Sequence, residues 1–331
     1  MDYSKIIGID VSKLTLDVEV LPDGKFFQAE NDDKGIKQLL RTLAKDYKVK
    51  FSEALFAFEH TGFYSFKLAS YLKEKGYAFV LIPGLELKRS LGISRGKSDK
   101  VDAGKIAEYA SLRKHLLKPT QMPDKEIQQM KRLLSLRDRL VSQRAGYKAT
   151  VKEAARAITK KEDPLYFKVQ EEMIKSFDSQ IDLLDQELLT VVKNHTELKR
   201  YFDLIISITS VGPQTALYMI AVTHAFTKFP NARKFACYAG IAPFPYQSGT
   251  SIRGKTKVSD LANKKIKSLL GNVTGSAIQH NTQLRLYYQR RLAQGKNKRS
   301  TQNIIRNKIV ALIFAVVERG TPYVKTMKYA A

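Results

Sequence analysis

The first thirty residues place apolar side chains at the spacing of β-strands. An apolar run over residues 6–9 ends at Asp10. After a short polar break, apolar side chains alternate with polar ones at Leu14, Leu16, Val18 and Val20. A Pro-Asp-Gly turn at 22–24 separates this segment from a third one over 25–29. Because period-two alternation and tight turns are typical of hairpins, the pattern predicts a meander of three strands.

The apolar spacing then changes to that of helices and strands in turn. Residues 33–47 carry apolar side chains three and four positions apart, which predicts a helix. An apolar strand over 54–58 ends at Glu59, and a helix through 68–72 leads to a fifth strand over 77–82. Three hairpin-linked strands followed by strands that helices connect is the order of the ribonuclease H-like fold.

Four acidic side chains stand at special places in this order. The first and fourth strands lie side by side in that fold, so Asp10 and Glu59 are predicted to face each other. Residues 97–110 begin a helix with Asp99 and Asp102, which point to one side because they are three positions apart. Clustered carboxylates repel one another unless divalent cations neutralise them, and Mg²⁺ prefers oxygen ligands. The four acids therefore predict a magnesium site suited to the attacking and leaving oxygens of a phosphodiester.

Simpler interpretations of these acids stay open. An Asp at a strand end commonly caps a turn, and the same opening also begins the ATP-binding folds of sugar kinases and actin. That class needs a glycine-rich phosphate loop, and none follows Asp10. In the simplest interpretation of the helix, Asp99 is solvated and Asp102 only caps the first turn.

The composition favours a polyanion as partner. The 331 residues carry a formal net charge of +25, and a hydrophobic content of 44% is ample for the cores of two or three domains. Nucleic acid is the first candidate and an acidic membrane surface the second. No segment approaches the ~20 apolar residues of a membrane span, and the first residues lack the order of a signal peptide, so we expect a cytoplasmic protein. Cys237 is the only cysteine, which excludes an intrachain disulfide and a cysteine-based zinc cluster.

Basic side chains surround the acids and dominate the last third of the chain. Near the acid pair they are Lys88, Arg89, Arg95, Lys97, Lys100 and Lys105. Between Asp203 and Glu318 the only acid is Asp260. The basic residues of this last part include Arg253, Lys255, Lys257, Arg290 and Arg291. Such asymmetry is typical of a surface that follows a nucleic-acid backbone, and we predict that these residues bind DNA or RNA.

The middle of the chain has the pattern of long helices. Apolar residues form a heptad seam at Ile174, Phe177, Ile181, Leu184, Leu188 and Val191. An earlier helix over 125–160 is separated from this one by a Pro at 164. The two helices form either an antiparallel hairpin or a dimer interface, and the seam alone does not distinguish them. We predict three domains, over residues 1–118, 119–200 and 201–331.

Two segments of the last third carry further candidates. Residues 206–216 resemble the turn of a helix-hairpin-helix, in which backbone N–H groups bind a phosphate, and an ordinary helix-to-helix turn fits equally well. Residues 235–257 contain five Gly and Pro positions, so they are predicted to lack regular structure, and a long ordered loop is usually functional. Ser248 in this loop precedes three basic residues and is a candidate nucleophile. Tyr246 and Ser251 are competing hydroxyls.

Four of these segments together resemble a known family. They are GIDVSK at 8–13, FEHTG at 58–62, SDKVDA at 98–103 and YAGIAPFPYQSG at 238–249. In this order they resemble the DEDD transposases of bacterial insertion sequences, the insertion-sequence one-ten family, and are similar to the Piv-type site-specific DNA invertases. The resemblance covers nearly the whole chain.

The resemblance implies a fold, a chemistry and partners. It implies an α/β RuvC-like N-terminal domain, a helical coiled-coil middle and a mainly α C-terminal transposase domain. Asp10, Glu59, Asp99 and Asp102 would bind Mg²⁺, or Mn²⁺ in its place, and Ser248 would hold a DNA strand through a phosphoserine bond. The expected partners are donor and target DNA and a bridge RNA, which guides some members. Because strand exchange joins four DNA ends, we expect a homodimer or tetramer, associated with the nucleoid.

This sequence departs from the family pattern in two places. Gln247 stands before the candidate nucleophile where relatives often have a second serine. Residues 209–212 read TSVG where PGIG is usual. Two other classes of function stay open at this point. One is a RuvC-like nuclease or junction resolvase that uses the acids without a covalent intermediate, and the other is a non-catalytic nucleic-acid-binding protein.

Overall fold

The structure, a computed structural model, describes residues 3–90, 99–249 and 252–324, apart from the side chains at 99, 100, 248, 252 and 253. The chain divides into two compact units between Met122 and Pro123. The predicted division into three domains stays a prediction. None of the described helices combines the length and apolarity that a membrane span requires.

The first unit is built on a five-stranded sheet. Its strands are β1 (Lys5–Val11), β2 (Thr15–Leu21), β3 (Lys25–Glu30), β4 (Ala54–Glu59) and β5 (Phe79–Ile82). Their spatial order is β3-β2-β1-β4-β5, with β1, β2 and β3 antiparallel and with β4 parallel to both β1 and β5. The predicted meander and the predicted neighbours β1 and β4 are therefore confirmed. Leu14 was expected in the second strand, but it lies in the preceding turn and is 71% exposed.

Helices cover both faces of this sheet. They are α1 (Asp33–Lys45), α2 (Phe63–Glu74), α3 (Gly84–Ser90) and α4 (Asp99–Leu112). Side chains of α1 and α2 bury one face together with Ile7 and Ile9 of β1. Helix α4 covers the opposite face, where Ile106 packs with Ile6. Gly8 permits this close approach, since a Cβ there would lie 2.4 Å from the backbone nitrogen of Ala107.

The second unit is mainly helical. Its elements are α5 (Lys125–Ala154), α6 (Pro164–Lys193), α7 (Thr196–Ile206), α8 (Pro213–Thr223), α9 (Ala232–Tyr238), β6 (Pro243–Ser248), β7 (Ile252–Val258), α10 (Lys264–His280), α11 (Thr282–Ala293) and α12 (Lys298–Arg319). One hydrophobic core joins α5 and α6 to the helices that follow them. At the centre of this core lies α8, whose side chains are buried on nearly all sides.

Helices α5 and α6 form an antiparallel hairpin within the chain. Arg137 contacts Asp185 at 2.5 Å, and Arg144 pairs with Asp178 one to two turns further along. The structure thus has the first of the two arrangements that the apolar seam permits. Helix α5 ends at Ala154, six residues before the predicted end, and a seam between protomers stays a prediction.

Residues 243–248 and 252–258 correct the prediction of an irregular loop over 235–257, whose first residues also belong to α9. They form the two antiparallel strands β6 and β7, which pair only with each other among the described strands. Both strands are edge strands. The prolines at 243 and 245, which lack a backbone N–H, therefore do not interrupt hydrogen bonding between inner strands. Gly249 has φ +58° in the connecting turn, and a Cβ at Gly254 would lie 2.7 Å from Cδ1 of Tyr246. The glycines that suggested irregularity therefore allow the turn and the close pairing of this ribbon.

Candidate active site

Asp10 and Glu59 lie at the same edge of the sheet and on the same face. The parallel register pairs Ile9 of β1 with Phe58 of β4, so the next residue of each strand is one of the two acids. Side chains alternate between faces along a strand. Because Ile6 and Leu55 both pack on the α4 side, Asp10 and Glu59 point to that side as well. The structure therefore brings these two predicted acids together.

Gly84 makes room for the carboxylate of Glu59. It begins α3 directly after β5, and a Cβ built at Gly84 would lie only 2.0 Å from Oε1 of Glu59. The backbone nitrogen of His60 donates a hydrogen bond to the carbonyl oxygen of Ile82 at 3.1 Å, which holds the end of β4 beside the end of β5. Any larger residue at position 84 would require the carboxylate of Glu59 to move from this place.

Helix α4 points its first turn toward this acidic edge. Tyr109, in its last part, packs in the same cluster as Tyr3 and Ile6 at the start of β1, so the helix runs antiparallel to β1. Asp102 lies in the first turn, and the ammonium of Lys105 donates to its Oδ1 at 3.2 Å. Asp99 is the first residue of the helix, but its side chain lies outside the described residues. The helix therefore places Asp102 on the same side of the sheet as the strand acids.

Asp17 is an acid of this site that the sequence interpretation missed. It lies directly opposite Asp10 in the antiparallel register of β1 and β2, and it is only 2% exposed. Its Oδ1 accepts a hydrogen bond from Nε2 of Gln28 at 2.8 Å, and its Oδ2 accepts one from the Thr15 hydroxyl at 3.5 Å. The predicted hairpin of β1 and β2 could have revealed this acid, because its register places residue 17 on the same face of the sheet as residue 10.

The acidic edge has the donor chemistry of a divalent metal site. Among the described side chains, no three of Asp, Glu, His and Cys are arranged so that they could hold a metal ion together. The set is nevertheless composed of carboxylates, the ligands that hard divalent ions prefer, and the space at Gly84 keeps one of them unobstructed. Asp99 completes the predicted set from a position whose side chain is not described. Asp10, Glu59 and Asp102 therefore fit such an ion in two respects. They supply carboxylate oxygens, and they lie on the same face of the sheet.

The basic residues predicted around the acids are described only in part. Lys88 and Arg89 lie in the last turn of α3, and the ammonium of Lys105 contacts Asp102. Arg95 and Lys97 lie outside the described residues, and only the backbone of Lys100 is described, in α4. Contacts between these cations and nucleic acid stay predictions.

Ser248 lies at the tip of the β6–β7 ribbon in the second unit. It is the last residue of β6 and pairs with Ile252, but its side chain lies outside the described residues. The ribbon is exposed, and Tyr246 next to the tip is 66% exposed. Lys255 and Lys257 are exposed on β7, whereas Ser251 and the side chain of Arg253 are not described.

The base of this ribbon is held by amide side chains. The Nδ2 atoms of Asn303 and Asn307 both donate to the carbonyl oxygen of Ile241, at 2.8 and 3.0 Å. At the same base, Nδ2 of Asn263 donates to the Tyr238 hydroxyl at 2.9 Å, which joins the segments before β6 and after β7. Sequence reasoning missed these residues because nothing local to α12 indicates that it faces residue 241. The tip is thus exposed, while hydrogen bonds hold the base of the ribbon.

Two other predicted binding segments lie in the same unit. On α11, the guanidinium of Arg290 lies 5.6 Å from the ring centre of Tyr287, and Arg291 donates to Gln294 at 3.3 Å. Helices α7 and α8 flank the predicted helix-to-helix turn, with Ser210 at φ +84° in the turn and Gly212 capping α8. Phosphate binding by either segment stays a prediction.

The fold and the acidic edge define a class of enzyme. A sheet of this order with carboxylates at the ends of its first and fourth strands is the ribonuclease H-like, or RuvC-like, arrangement. Residues 7–158 match a family model described as a transposase, and residues 203–289 match the model of the transposase IS116/IS110/IS902 family. The chain belongs to the IS110 family of transposases, and it is a DNA recombinase whose substrate is DNA.

Curated relatives agree with this assignment. The chain is 25% identical over 326 residues to the pilin gene-inverting protein of Moraxella lacunata, covering 96% of this chain and 97% of that protein. The pilin gene-inverting protein of Moraxella bovis is 24% identical over 326 residues, which again are 96% of this chain and 97% of that protein. An uncharacterized protein of insertion element IS110 from Streptomyces coelicolor is 31% identical over 126 residues, which are 38% of this chain and 30% of that protein. Enzymes of the DEDD transposase family typically use divalent metal ions.

Proposed function

We propose that this transposase cuts and rejoins DNA strands by combining a carboxylate-bound divalent ion with a serine nucleophile, Ser248. The observation that carries the proposal is the shared face of Asp10 and Glu59 at the sheet edge toward which α4 points its first turn. The second half of the proposal rests on Ser248, which lies at the exposed tip of a ribbon whose base is held by hydrogen bonds. Both halves match segments of one transposase family.

The proposed ion is Mg²⁺, or Mn²⁺ in its place, held by Asp10, Glu59, Asp99 and Asp102. When bound, such an ion stabilises negative charge on phosphodiester oxygens. Asp10 and Glu59 supply oxygens from rigid strand ends, so that little reorganisation accompanies binding. Lys105 would keep the carboxylate of Asp102 oriented through the hydrogen bond already present at 3.2 Å.

The proposed role of Ser248 follows from the need to rejoin strands. Its Oγ attacks the phosphorus, the bond from phosphorus to the 3′ oxygen breaks, and the departing oxygen leaves as a 3′ hydroxyl. The phosphoserine bond conserves the energy of the phosphodiester. A 3′ hydroxyl from another strand can then displace the serine and reseal the backbone, whereas hydrolysis would leave broken ends. Lys255 and Lys257, which are exposed on the same ribbon, would contact the DNA backbone.

The proposal includes an RNA guide and an oligomer. Arg95, Lys97, Lys100, Arg253, Arg290 and Arg291 would bind the nucleic acids together with the lysines of the ribbon. A bridge RNA would read donor and target sequences by base pairing, so that the protein itself needs few base contacts. A homodimer or tetramer would join the four DNA ends, with the serine and the acids supplied by different protomers or by the same one.

The first experiment sequences the RNA that co-purifies with the protein and traps covalent protein–DNA adducts on DNA that matches this RNA. We expect a discrete RNA and an adduct that requires Mg²⁺ and is lost in Ser248→Ala. Tyr246→Phe and Ser251→Ala are the matched controls, because they remove the competing hydroxyls and should keep the adduct. An adduct that persists in Ser248→Ala would rule out Ser248 as the nucleophile. Metal-dependent nicking without any adduct would indicate a nuclease or junction resolvase, and strand exchange that is indifferent to Asp10→Ala would overturn the metal site.

A further inference from the structure

The segment after α8 turns in an unusual direction. His224, Ala225 and Phe226 have φ values of 51°, 52° and 64°, which is the left-handed region that residues with a side chain rarely adopt. Three such residues in succession are costly, because each brings its Cβ close to the following carbonyl oxygen. Strained backbone of this kind persists where the surrounding structure holds it, and it is concentrated at functional sites.

Local contacts hold this turn in place. The Thr223 hydroxyl accepts a hydrogen bond from the backbone nitrogen of Phe226 at 3.0 Å, and the nitrogen of Lys228 donates to the carbonyl oxygen of Thr223 at 2.9 Å. The ring of Phe226 packs edge-on against Tyr201 and Phe314, with centroids 5.6 and 5.1 Å away. The turn therefore fixes where the side chains of His224 and Lys228 lie.

The turn gathers three basic side chains. The ammonium of Lys131, on α5, hydrogen-bonds Nε2 of His224, although the two residues are 93 positions apart in sequence. The ammonium of Lys228 lies 5.5 and 5.2 Å from the ring centres of Phe229 and Tyr238. Lys131 and His224 are half-buried, whereas Lys228 reaches the surface. We call Lys131, His224 and Lys228 the basic cluster.

No carboxylate of the described chain balances this basic cluster. Burial, and then the charge of Lys228, lowers the pKa of Lys131 to about 8. Burial, and then the charges of Lys131 and Lys228, lowers the pKa of His224 to about 3. The pKa of Lys228 is also lowered by burial. Within the described residues, none of the three groups forms an ion pair with an acid. Partly buried positive charges without a counter-ion are unfavourable unless an anion from outside the chain joins them.

We propose that the basic cluster of Lys131, His224 and Lys228 binds one backbone phosphate of the DNA substrate. This inference rests on the proposed DNA-recombining function. A phosphate brings the negative charge that the cluster lacks, and two ammonium groups can each donate to its oxygens. Lys228 keeps the site open to solvent, so a phosphate can reach it.

The basic cluster also adjoins the ribbon that carries Ser248. Tyr238 forms one wall beside Lys228, and its hydroxyl accepts the hydrogen bond from Asn263 at the base of the ribbon. One ring thus separates the proposed phosphate site from the ribbon. A phosphate bound there would fix the position of the strand relative to the base of the ribbon.

The first test measures thermal unfolding of the protein free of nucleic acid, with inorganic phosphate as the probe. At constant ionic strength, we expect phosphate to raise the Tm of the wild type and to leave that of Lys131→Met unchanged. We also expect Lys131→Met to have a Tm equal to or above that of the wild type without phosphate, since it removes an unbalanced, half-buried charge. A Tm well below the wild type, or an equal phosphate response in both proteins, would overturn the site.

The second test measures DNA affinity as a function of salt concentration. We expect Lys131→Met/Lys228→Met to bind a DNA duplex about tenfold more weakly and to lower the slope of log affinity against log salt by about 1. Lys168→Met is the matched control, because it removes the charge of an exposed lysine that pairs with Glu172 at 4.0 Å. An unchanged slope in the double variant would overturn the site. A loss confined to an RNA duplex of the same length would overturn the assignment to DNA.

This design separates the site from the proposed chemistry. Binding is measured with Ser248→Ala in the background, so the result does not depend on strand exchange. If no adduct ever forms but the salt slope changes as expected, the phosphate site stands while the recombination chemistry fails. If the adduct forms but the slope is unchanged, only the phosphate site fails.

Discussion

Asp10 and Asp17 lie directly opposite each other on β1 and β2, and the second of them is almost completely buried. Like charges at opposed positions of an antiparallel pair are destabilising. A divalent ion bound at this edge would offset repulsion between the two carboxylates. This relationship makes Asp17 a test of the proposed metal site that does not touch the four predicted ligands.

The first prediction concerns Asp17→Asn. The amide keeps the size of the side chain and can still accept from Gln28 while it removes one negative charge. We expect the metal-free variant to be more stable by roughly 0.2–1 kcal/mol and to need more Mg²⁺ for adduct formation. Thermal unfolding and a Mg²⁺ titration measure the two effects. Asp33→Asn, which removes an exposed acid paired with Lys67, is the control, and an identical Mg²⁺ requirement in both variants would contradict the prediction.

The second prediction concerns Gly84→Ala. A Cβ at this position would lie 2.0 Å from Oε1 of Glu59, so the carboxylate has to move away from its present place. We expect adduct formation to slow by about 100-fold, the effect of displacing a catalytic group by about 1 Å. Gly146→Ala is the matched control, because nothing lies within 4 Å of the added atom in the middle of α5. Normal adduct formation in a folded Gly84→Ala protein would remove Glu59 from the site.

The third prediction concerns the stability of the protein at alkaline pH. Lys131 has a pKa of about 8 in the folded protein, below the ordinary value of 10.5, so the unfolded chain binds more protons between these two values. Stability linked to this group therefore rises as pH increases from about 8 toward 10.5 and is lowest below pH 8. His224 and Lys228, the charged or titratable groups that face Lys131, both have lowered pKa values and so do not reverse the sign.

The measurement is the difference in unfolding free energy between Lys131→Met and the wild type at pH 7 and pH 10. We expect the variant to gain most at pH 7 and to lose most of this advantage by pH 10. Lys168→Met, on the exposed face of α6, should show no such dependence. A constant difference at the two pH values would mean that the Lys131 ammonium is not destabilised in the folded protein.

The sequence predicted the first unit better than the second for a physical reason. The order of strands and helices, and hence the neighbours β1 and β4, follows from local apolar spacing and the connections between elements. The burial of Asp17 could not be predicted locally, because it depends on α4, which follows about eighty residues later and covers that face of the sheet. Asp10 and Glu59 end strands in the sequence itself, so their shared edge follows from strand order alone.

The second unit shows the opposite case. Gly and Pro residues over 235–257 suggested irregular structure, but the pairing of β6 with β7 accommodates them, with Gly249 at a positive φ directly after β6 and the prolines on an edge strand. The basic cluster joins α5 to the turn after α8, and the hydrogen bonds to Ile241 come from residues about sixty positions away. Contacts of this range leave no periodic trace in the sequence, which is why both features emerged only from the structure.

The last prediction concerns Asn303 and Asn307, which both donate to the carbonyl oxygen of Ile241. They touch neither the DNA nor the reacting atoms in the proposed mechanism, so they are positioning residues for the ribbon that carries Ser248. We expect Asn303→Leu/Asn307→Leu to lose about 1–3 kcal/mol of stability, because the carbonyl loses two donors. The rate of adduct formation at saturating DNA should fall by at least about tenfold, whereas DNA affinity and the Mg²⁺ requirement should stay unchanged.

A split between rate and affinity distinguishes positioning from a general loss of structure, since a globally loosened protein would bind DNA more weakly too. Asn272→Leu is the control, because Asn272 is an exposed amide on α10. Asn303→Gln/Asn307→Gln retains the donors on longer side chains and should recover part of the lost rate. If the leucine variant forms adducts at the normal rate, the ribbon does not need its fixed base, and the position of Ser248 must be set at the tip by the bound DNA.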